Sequence, residues 1–246
     1  MRSLLLSVLM LASTAAWSER PLSVFVGVPP LQTFVEAVGG DHAQVQSLVQ
    51  AGQSPHAFEP TPGQVAALGS ADLYVGIGLP FEAAQLPRIR AANPRLRVLD
   101  ARDGLELRVM EAHGHGDSGE DHDHGRPEQG ERPHPASGDE NELDPHVWTS
   151  PPLAKRIAGS IRDALSDLDP VHAGVYEANY RSFASRLDVL DGEIRALLGP
   201  LTNRRFMVYH PAWGYFADTY QLVQVPIEKS GKEPGPRSLA AIIDAA

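Results

Sequence analysis

The chain has 246 residues, 42% of them apolar, which is enough for one large domain or two smaller ones around a hydrophobic core. Its 31 acidic side chains outnumber the 21 lysines and arginines, and the formal net charge of -10 disfavours nucleic acid as a partner. The sequence contains no cysteine, so we expect neither a disulfide nor a lipid attached to cysteine.

The N-terminus is typical of an export signal. Arg2 supplies a positive charge, residues 4–11 form an apolar run, and the small residues Ala15 and Ala16 follow it. A membrane span needs about 20 apolar residues, and this run is much shorter. We therefore predict that residues 1–18 are a cleaved signal peptide and that the mature protein is free in the periplasm, without a lipid anchor.

Residues 19–110 are predicted to form an N-terminal α/β lobe. The predicted strands cover residues 22–28, 45–49, 73–77 and 97–99. The predicted helices cover residues 31–38, a segment that begins at Pro62, and residues 81–92. Strands that alternate with short helices indicate a parallel sheet with helices packed on it.

Residues 111–143 interrupt this pattern. They consist mainly of glycine, proline, histidine and acidic residues, with too few aliphatic side chains to build a core, so we predict a disordered loop. Its histidines are His113, His115, His122, His124 and His134. Such a loop can chelate zinc, nickel or copper weakly without fixing a geometry. A solvated acidic loop with no metal function is the alternative.

A long helix is predicted after the interruption. Residues 144–168 complete the N-terminal lobe with a helix from Pro152, capped by Thr149 or Ser150. Residues 169–199 then carry an apolar stripe at alternating spacings of four and three, which predicts one long amphipathic helix. The stripe consists of Tyr176, Tyr180, Phe183, Leu187, Leu190, Ile194 and Leu197. A coiled coil needs more heptads, so we interpret this helix as a rigid link between two lobes.

Residues 200–246 are predicted to be a partial C-terminal α/β lobe. Strands are expected at residues 206–209 and 222–227, with helices at residues 211–218 and from residue 238 onwards. Two strands are few for a complete α/β lobe, so we expect this lobe to be truncated. The predicted fold class is α/β, with two parallel-sheet lobes bridged by one long helix.

Three isolated histidines share a similar setting. They lie in the segments GQSPHAFEP (His56), DPHVWTSP (His146) and MVYHPAWGYF (His210), each beside a proline and close to an aromatic residue. Ligands of open α/β sheets gather beyond the carboxyl ends of the strands, so the three side chains are expected to meet in one crevice as metal ligands. The alternative is that each only caps a loop or is hydrogen-bonded at the surface. We expect His42, in a turn, and His172, in the first turn of the long helix, to be plain solvated residues.

Several motifs together resemble one family. These motifs follow the order found in periplasmic zinc-binding proteins, the solute-binding components of bacterial ABC zinc importers (cluster A-I, or cluster 9). They are PHAFEP, the histidine-rich insert, DPHVW, YEANY, HPAWGYF and KSGKEP. The resemblance implies a two-lobed α/β fold with one linking helix. It also implies that His56, His146 and His210 are Zn²⁺ ligands, and that the partner is the transporter's membrane permease.

The resemblance has further implications for the site. An imidazole at position 210 favours zinc, because manganese-binding relatives have a carboxylate there. The family's fourth ligand is a carboxylate or a water, and the carboxylate would lie beyond residue 246. The histidine-rich loop would raise the zinc concentration near the site, and the full-length protein is expected to be a monomer.

Three other functions stay open at this stage. The chain could take up manganese or another divalent metal, buffer metal through the loop alone, or be a zinc-dependent hydrolase with an open fourth position. We predict that it is not an enzyme, because the sequence supplies no clear general base near His146 or His210 and has no HExxH motif. Glu59 follows His56 closely, and we expect it to hydrogen-bond a ligand rather than act as a base.

Overall fold

The computed structural model describes residues 20–110 and 143–228. The signal peptide predicted at residues 1–18 and the helix expected from residue 238 lie outside the described residues. The same holds for the five histidines of the predicted loop, namely His113, His115, His122, His124 and His134. In the two described ranges, no helix is both long and apolar enough to cross a bilayer.

The first unit is built on a four-stranded parallel sheet. Its strands are β1 (Leu22–Val26), β2 (Ala43–Ser47), β3 (Leu73–Gly76) and β4 (Arg97–Asp100), in the order β2-β1-β3-β4. The central strand β3 is buried along its whole length, as expected for an apolar strand with helices on both faces. The predicted parallel α/β fold is confirmed.

Four helices cover this sheet, and each begins at a proline. They are α1 (Pro29–Gly39), α2 (Pro62–Leu68), α3 (Pro80–Ala92) and α4 (Pro151–Leu168). A proline at the first helical position costs the helix no hydrogen bond, because an N–H at that position would have no partner within the helix. Thr61 adds a capping box at the start of α2.

A buried carboxylate ties α3 to the sheet. Glu82 is only 4% exposed, and it accepts hydrogen bonds from the Tyr74 hydroxyl (2.8 Å) and from the backbone N–H groups of Ile77, Gly78 (2.6 Å) and Leu79 (3.1 Å). Burial raises the pKa of Glu82, and these hydrogen bonds oppose the rise. The turn between β3 and α3 is therefore fixed by one side chain.

The ends of the undescribed segment lie side by side. Val109 and Leu143 form an isolated antiparallel bridge. Leu143, which the sequence prediction assigned to the disordered loop, is therefore part of the described fold. Residues 143–150 lead directly from this bridge into α4.

The long helix α5 (Ala173–Leu198) has 26 residues and, at about 1.5 Å per residue, is about 39 Å long. The prediction placed its start at residue 169, but residues Pro170–His172 form a 3₁₀ turn instead. Phe183 packs against Phe34 of α1, with ring centroids 5.6 Å apart.

The apolar stripe of α5 is buried only in its first half. Tyr176 and Phe183 are buried between α1 and α4, whereas Leu190 and Leu197 are 43% and 74% exposed. The second half of the stripe is therefore largely exposed, as far as the described residues extend. There α5 has run past α1 and α4.

In its described residues, the second unit has a two-stranded parallel sheet and one helix. Strands β5 (Arg205–Val208) and β6 (Val223–Pro226) are joined through α6 (Gly214–Tyr220). The prediction began this helix at residue 211, but the backbone N–H of Ala212 bonds back to the carbonyl of His210 at 2.8 Å. That turn delays the helix to Gly214.

Candidate metal centre

The structure brings His56, His146 and His210 together between the two units. Their ligand nitrogens all lie within 4.8 Å of one another. The ring centroids are 6.0 Å apart for His56 and His146, 5.6 Å for His56 and His210, and 5.3 Å for His146 and His210. A tetrahedral zinc ion with Zn–N bonds of about 2.0–2.1 Å separates its nitrogens by about 3.4 Å. Small side-chain rotations would let the three rings share one ion.

The local chain explains where each imidazole sits. His56 is half-buried and lies on the 3₁₀ turn Pro55–Ala57, which follows β2. His146 precedes the 3₁₀ turn Val147–Thr149 that leads into α4, and His210 follows β5. All three residues therefore lie on short turns, with a strand or helix next to each turn.

A buried carboxylate holds His146. Asp144 Oδ1 accepts hydrogen bonds from the His146 ring nitrogen Nδ1 at 2.7 Å and from the His146 backbone N–H at 2.9 Å. With the proton on Nδ1, the ring presents the lone pair of Nε2, which is the form a metal ligand requires. The edge of this ring also contacts Trp148, with centroids 5.2 Å apart.

A second carboxylate holds His210. Glu228 Oε2 accepts a hydrogen bond from His210 Nδ1 at 3.2 Å, and the Glu228 side chain is 15% exposed. The backbone N–H of Glu228 bonds to the carbonyl of Tyr209 at 2.9 Å, so the parallel pairing of β5 and β6 continues up to the site. This pairing explains why a residue distant in sequence lies beside His210.

The structure differs from the sequence expectation at Glu59. This side chain is exposed and forms no hydrogen bond or ion pair with any residue in the described ranges. Within the described ranges, Asp144 bonds to His146 and Glu228 bonds to His210, and sequence reasoning missed both carboxylates. The DPH segment offered a local indication of Asp144, whereas no spacing indicated Glu228.

His42 and His172 lie outside this centre, and they are not the solvated residues that the sequence suggested. Their rings stack with centroids 3.8 Å apart, and His172 Nδ1 donates to Asp169 Oδ2 at 2.6 Å. The stack joins the turn after α1 to the turn before α5. Both rings are half-buried because these two turns pack together.

A parallel α/β unit, a long helix and three histidines gathered beside a second unit define a metal-binding protein of the solute-binding class. The chain belongs to the family described as "ZnuA: Zinc-uptake complex component A periplasmic", whose model matches residues 24–246.

Proteins of similar sequence carry names from the same family. The chain is 31% identical over 240 residues to the zinc-binding lipoprotein AdcA of Streptococcus pneumoniae serotype 4, covering 95% of this chain and 44% of that protein. It is 28% identical over 227 residues to the high-affinity zinc uptake system protein ZnuA of Yersinia pestis, covering 90% and 69%. The chain thus spans less than half the length of the streptococcal lipoprotein.

Solved structures agree with the fold. A crystal structure of ZnuA matches with a TM-score of 0.75 and 38% identity, over 92% of this chain and 78% of that one. Zn(II)-bound AdcA from Streptococcus pneumoniae matches with a TM-score of 0.68 and 27% identity, over 89% and 42%. The resemblance identified from the sequence motifs is confirmed.

Proposed function

We propose that this chain captures Zn²⁺ through His56, His146 and His210 and delivers it to the membrane permease of an ABC transporter. The observation that carries the proposal is the convergence of three imidazoles on one point between two α/β units. The names of its relatives, a zinc-binding lipoprotein and a zinc uptake protein, favour the same cargo.

The donor set favours zinc over manganese. Neutral imidazole is a good ligand for zinc, whereas manganese prefers carboxylate and water oxygens. The two carboxylates nearest the rings, Asp144 and Glu228, accept hydrogen bonds from Nδ1 atoms. In that arrangement they orient the imidazoles and make them more basic. The fourth position would be taken by water or by a further carboxylate.

A binding protein also fits better than a hydrolase. Catalytic zinc needs a nearby base to accept a proton from the bound water. In the described part of the chain, Asp144 and Glu228 already accept hydrogen bonds from the ligand rings, and Glu59 is exposed. A zinc-loaded sample that turns over an ester substrate would favour the hydrolase instead.

The remaining parts of the proposal concern location and assembly. We propose that residues 1–18 direct export to the periplasm, that no lipid anchors the mature chain, and that the full-length protein acts as a monomer. The histidines of residues 111–143 would be auxiliary zinc ligands that raise the local ion concentration. The family to which the chain belongs is described as periplasmic.

A zinc titration of histidine variants tests the proposal. The parent chain is expected to bind one Zn²⁺ tightly, and the triple variant His56→Ala/His146→Ala/His210→Ala to lose that binding. The matched control is His42→Ala/His172→Ala, which removes a stacked pair outside the centre and should leave tight binding intact.

A second variant separates the centre from the histidine-rich segment. Deletion of residues 112–134 should remove only weak zinc binding and leave the tight site. Tight binding that survives the triple substitution, or disappears with the deletion, would contradict the assignment.

A further inference from the structure

Arg108 lies where the first unit meets α6 of the second. Its backbone N–H donates to the Tyr215 hydroxyl oxygen at 3.2 Å, and its carbonyl accepts from the backbone N–H of Asp144 at 2.9 Å. The Tyr215 hydroxyl in turn donates to the carbonyl of Asp144 at 2.9 Å. These bonds join three chain segments: the residues after β4, the residues before His146, and α6.

The Arg108 side chain adds contacts to the other two segments. Its Nη1 bonds to Asp218 Oδ2 of α6 at 2.8 Å, and its Nε lies 3.8 Å from Asp144 Oδ2. The guanidinium carbon is 5.9 Å from the centre of the Tyr215 ring, within the range of a cation–π contact. The cation therefore lies between one carboxylate of each unit.

Gly214 makes this position available. A Cβ atom at residue 214 would lie 2.5–2.7 Å from three atoms of the Arg108 guanidinium group, so any larger residue must push the cation aside. Gly214 is also the first residue of α6, directly after the turn that carries His210. Gly214, which follows the turn of His210, is therefore in close contact with Arg108, and Arg108 faces Asp144.

We propose that Arg108 is a positioning residue for the zinc centre, which sets His146 relative to His210 by joining Asp144 to α6. The proposal rests on the zinc-binding function proposed above. Asp144 has two carboxylate oxygens: Oδ1 holds the His146 ring, and Oδ2 faces Arg108. With Arg108 beside Oδ2, the carboxylate keeps its orientation toward the ring. The arginine thereby acts on a ligand that it does not touch.

A purely stabilising role explains these contacts less well. The Asp218 side chain is 66% exposed, and ion pairs with exposed partners contribute little to stability. Of the two described carboxylates beside Arg108, the buried one is Asp144, which holds His146. We therefore expect the loss of Arg108 to affect metal binding more than folding.

Two variants and one matched control test the proposal in the full chain. Arg108→Gln removes the charge, and Gly214→Ala keeps Arg108 but displaces its guanidinium group. The control is Arg162→Gln. Arg162 also lies beside two carboxylates, with hydrogen bonds to Asp163 (2.6 Å) and Glu177 (3.1 Å), and 4.6 Å from the centre of an aromatic ring. It is in the middle of α4, remote from the three histidines.

The measurements are zinc affinity by competition with a chromophoric chelator, the visible spectrum of the Co²⁺-loaded protein at saturation, and thermal unfolding without metal. We expect Arg108→Gln to weaken zinc binding by about tenfold, the lower end of the range for groups that orient metal ligands. We expect a changed Co²⁺ spectrum as well. Gly214→Ala should shift both quantities in the same direction, and Arg162→Gln should shift neither.

The outcomes separate this proposal from the one on which it rests. If the parent binds no zinc at the three histidines, the proposed function fails. If the parent binds zinc and both variants keep its affinity and Co²⁺ spectrum, the positioning role of Arg108 is wrong. A lower unfolding midpoint with unchanged metal properties overturns it too. Should Arg108→Gln fail to fold, Gly214→Ala alone decides.

Discussion

Replacing Asp144 by asparagine removes one charge from a carboxylate that is 2% exposed and keeps its shape nearly unchanged. The side-chain carbonyl of the new asparagine can still accept from His146, but its NH₂ group must then face the Arg108 guanidinium group, which is also a donor. The His146 ring therefore loses both the charge and the fixed orientation of its partner. We expect Asp144→Asn to weaken zinc binding while leaving the number of sites at one.

The expected size of this effect follows from the contact. Changing the group that orients a metal-bound histidine costs about 10–100-fold in affinity, or about 1.4–2.8 kcal/mol. Without metal, the loss should be near 1.5 kcal/mol in the free energy of unfolding, the low end for hydrogen bonds to a charged group, since the amide replaces part of the bond. Zinc competition and urea unfolding measure the two quantities.

Asp169→Asn is the matched control for this experiment. Asp169 also accepts from a histidine Nδ1, that of His172 at 2.6 Å, but this pair lies outside the metal centre. It should change stability without changing zinc affinity. Equal zinc affinities for Asp144→Asn and the parent would refute the argument that Asp144 fixes the ligand form of His146.

Three further predictions concern the core, the long helix and the pH dependence of binding. Glu82→Ala leaves a hydroxyl and three backbone donors without their acceptor. The free energy of unfolding, measured by urea denaturation, should therefore fall by about 3 kcal/mol. An unchanged value would show that water replaces the carboxylate. Phe183→Ala should lower the free energy of unfolding by about 3–5 kcal/mol. Leu197→Ala, at a residue that is 74% exposed, should lower it by about 0.5 kcal/mol or less. Similar losses for the two variants would mean that the whole stripe of α5 is core. Zinc affinity should decline as the solution is made more acidic, because protons compete with the ion for the imidazole nitrogens. A binding constant that does not change on acidification, measured by chelator competition, would exclude a histidine site.

Much of the first unit could be predicted because its signals are local. The apolar runs of β1 and β3 and the prolines at helix starts specify these elements without reference to the rest of the chain. Features that depend on contacts between distant segments could not be predicted. The stripe of α5 has the same period throughout, but only α1 and α4 decide which half is buried. The stacking of His42 on His172 depends in the same way on two turns that are far apart in sequence.

The same distinction between local sequence signals and long-range contacts applies to the metal centre. Each of the three histidines lies in a recognisable segment, so the candidates could be chosen from the sequence. Glu228 could not, because only the parallel pairing of β5 with β6 brings it to His210. Glu59 was chosen for its nearness to His56 in sequence, but its side chain points to solvent. Nearness along the chain was a poor guide to which carboxylate reaches an imidazole.

The placement of the three histidines on separate turns has a consequence for the lifetime of a bound ion. An ion held by His56, His146 and His210 joins three turns that are far apart in sequence, and it stabilises the folded chain because the site exists only there. The chain can release such an ion without unfolding when one histidine leaves it, by rotation of its side chain or by movement of its short turn. A transport partner that displaces a single turn would speed release without disturbing either sheet.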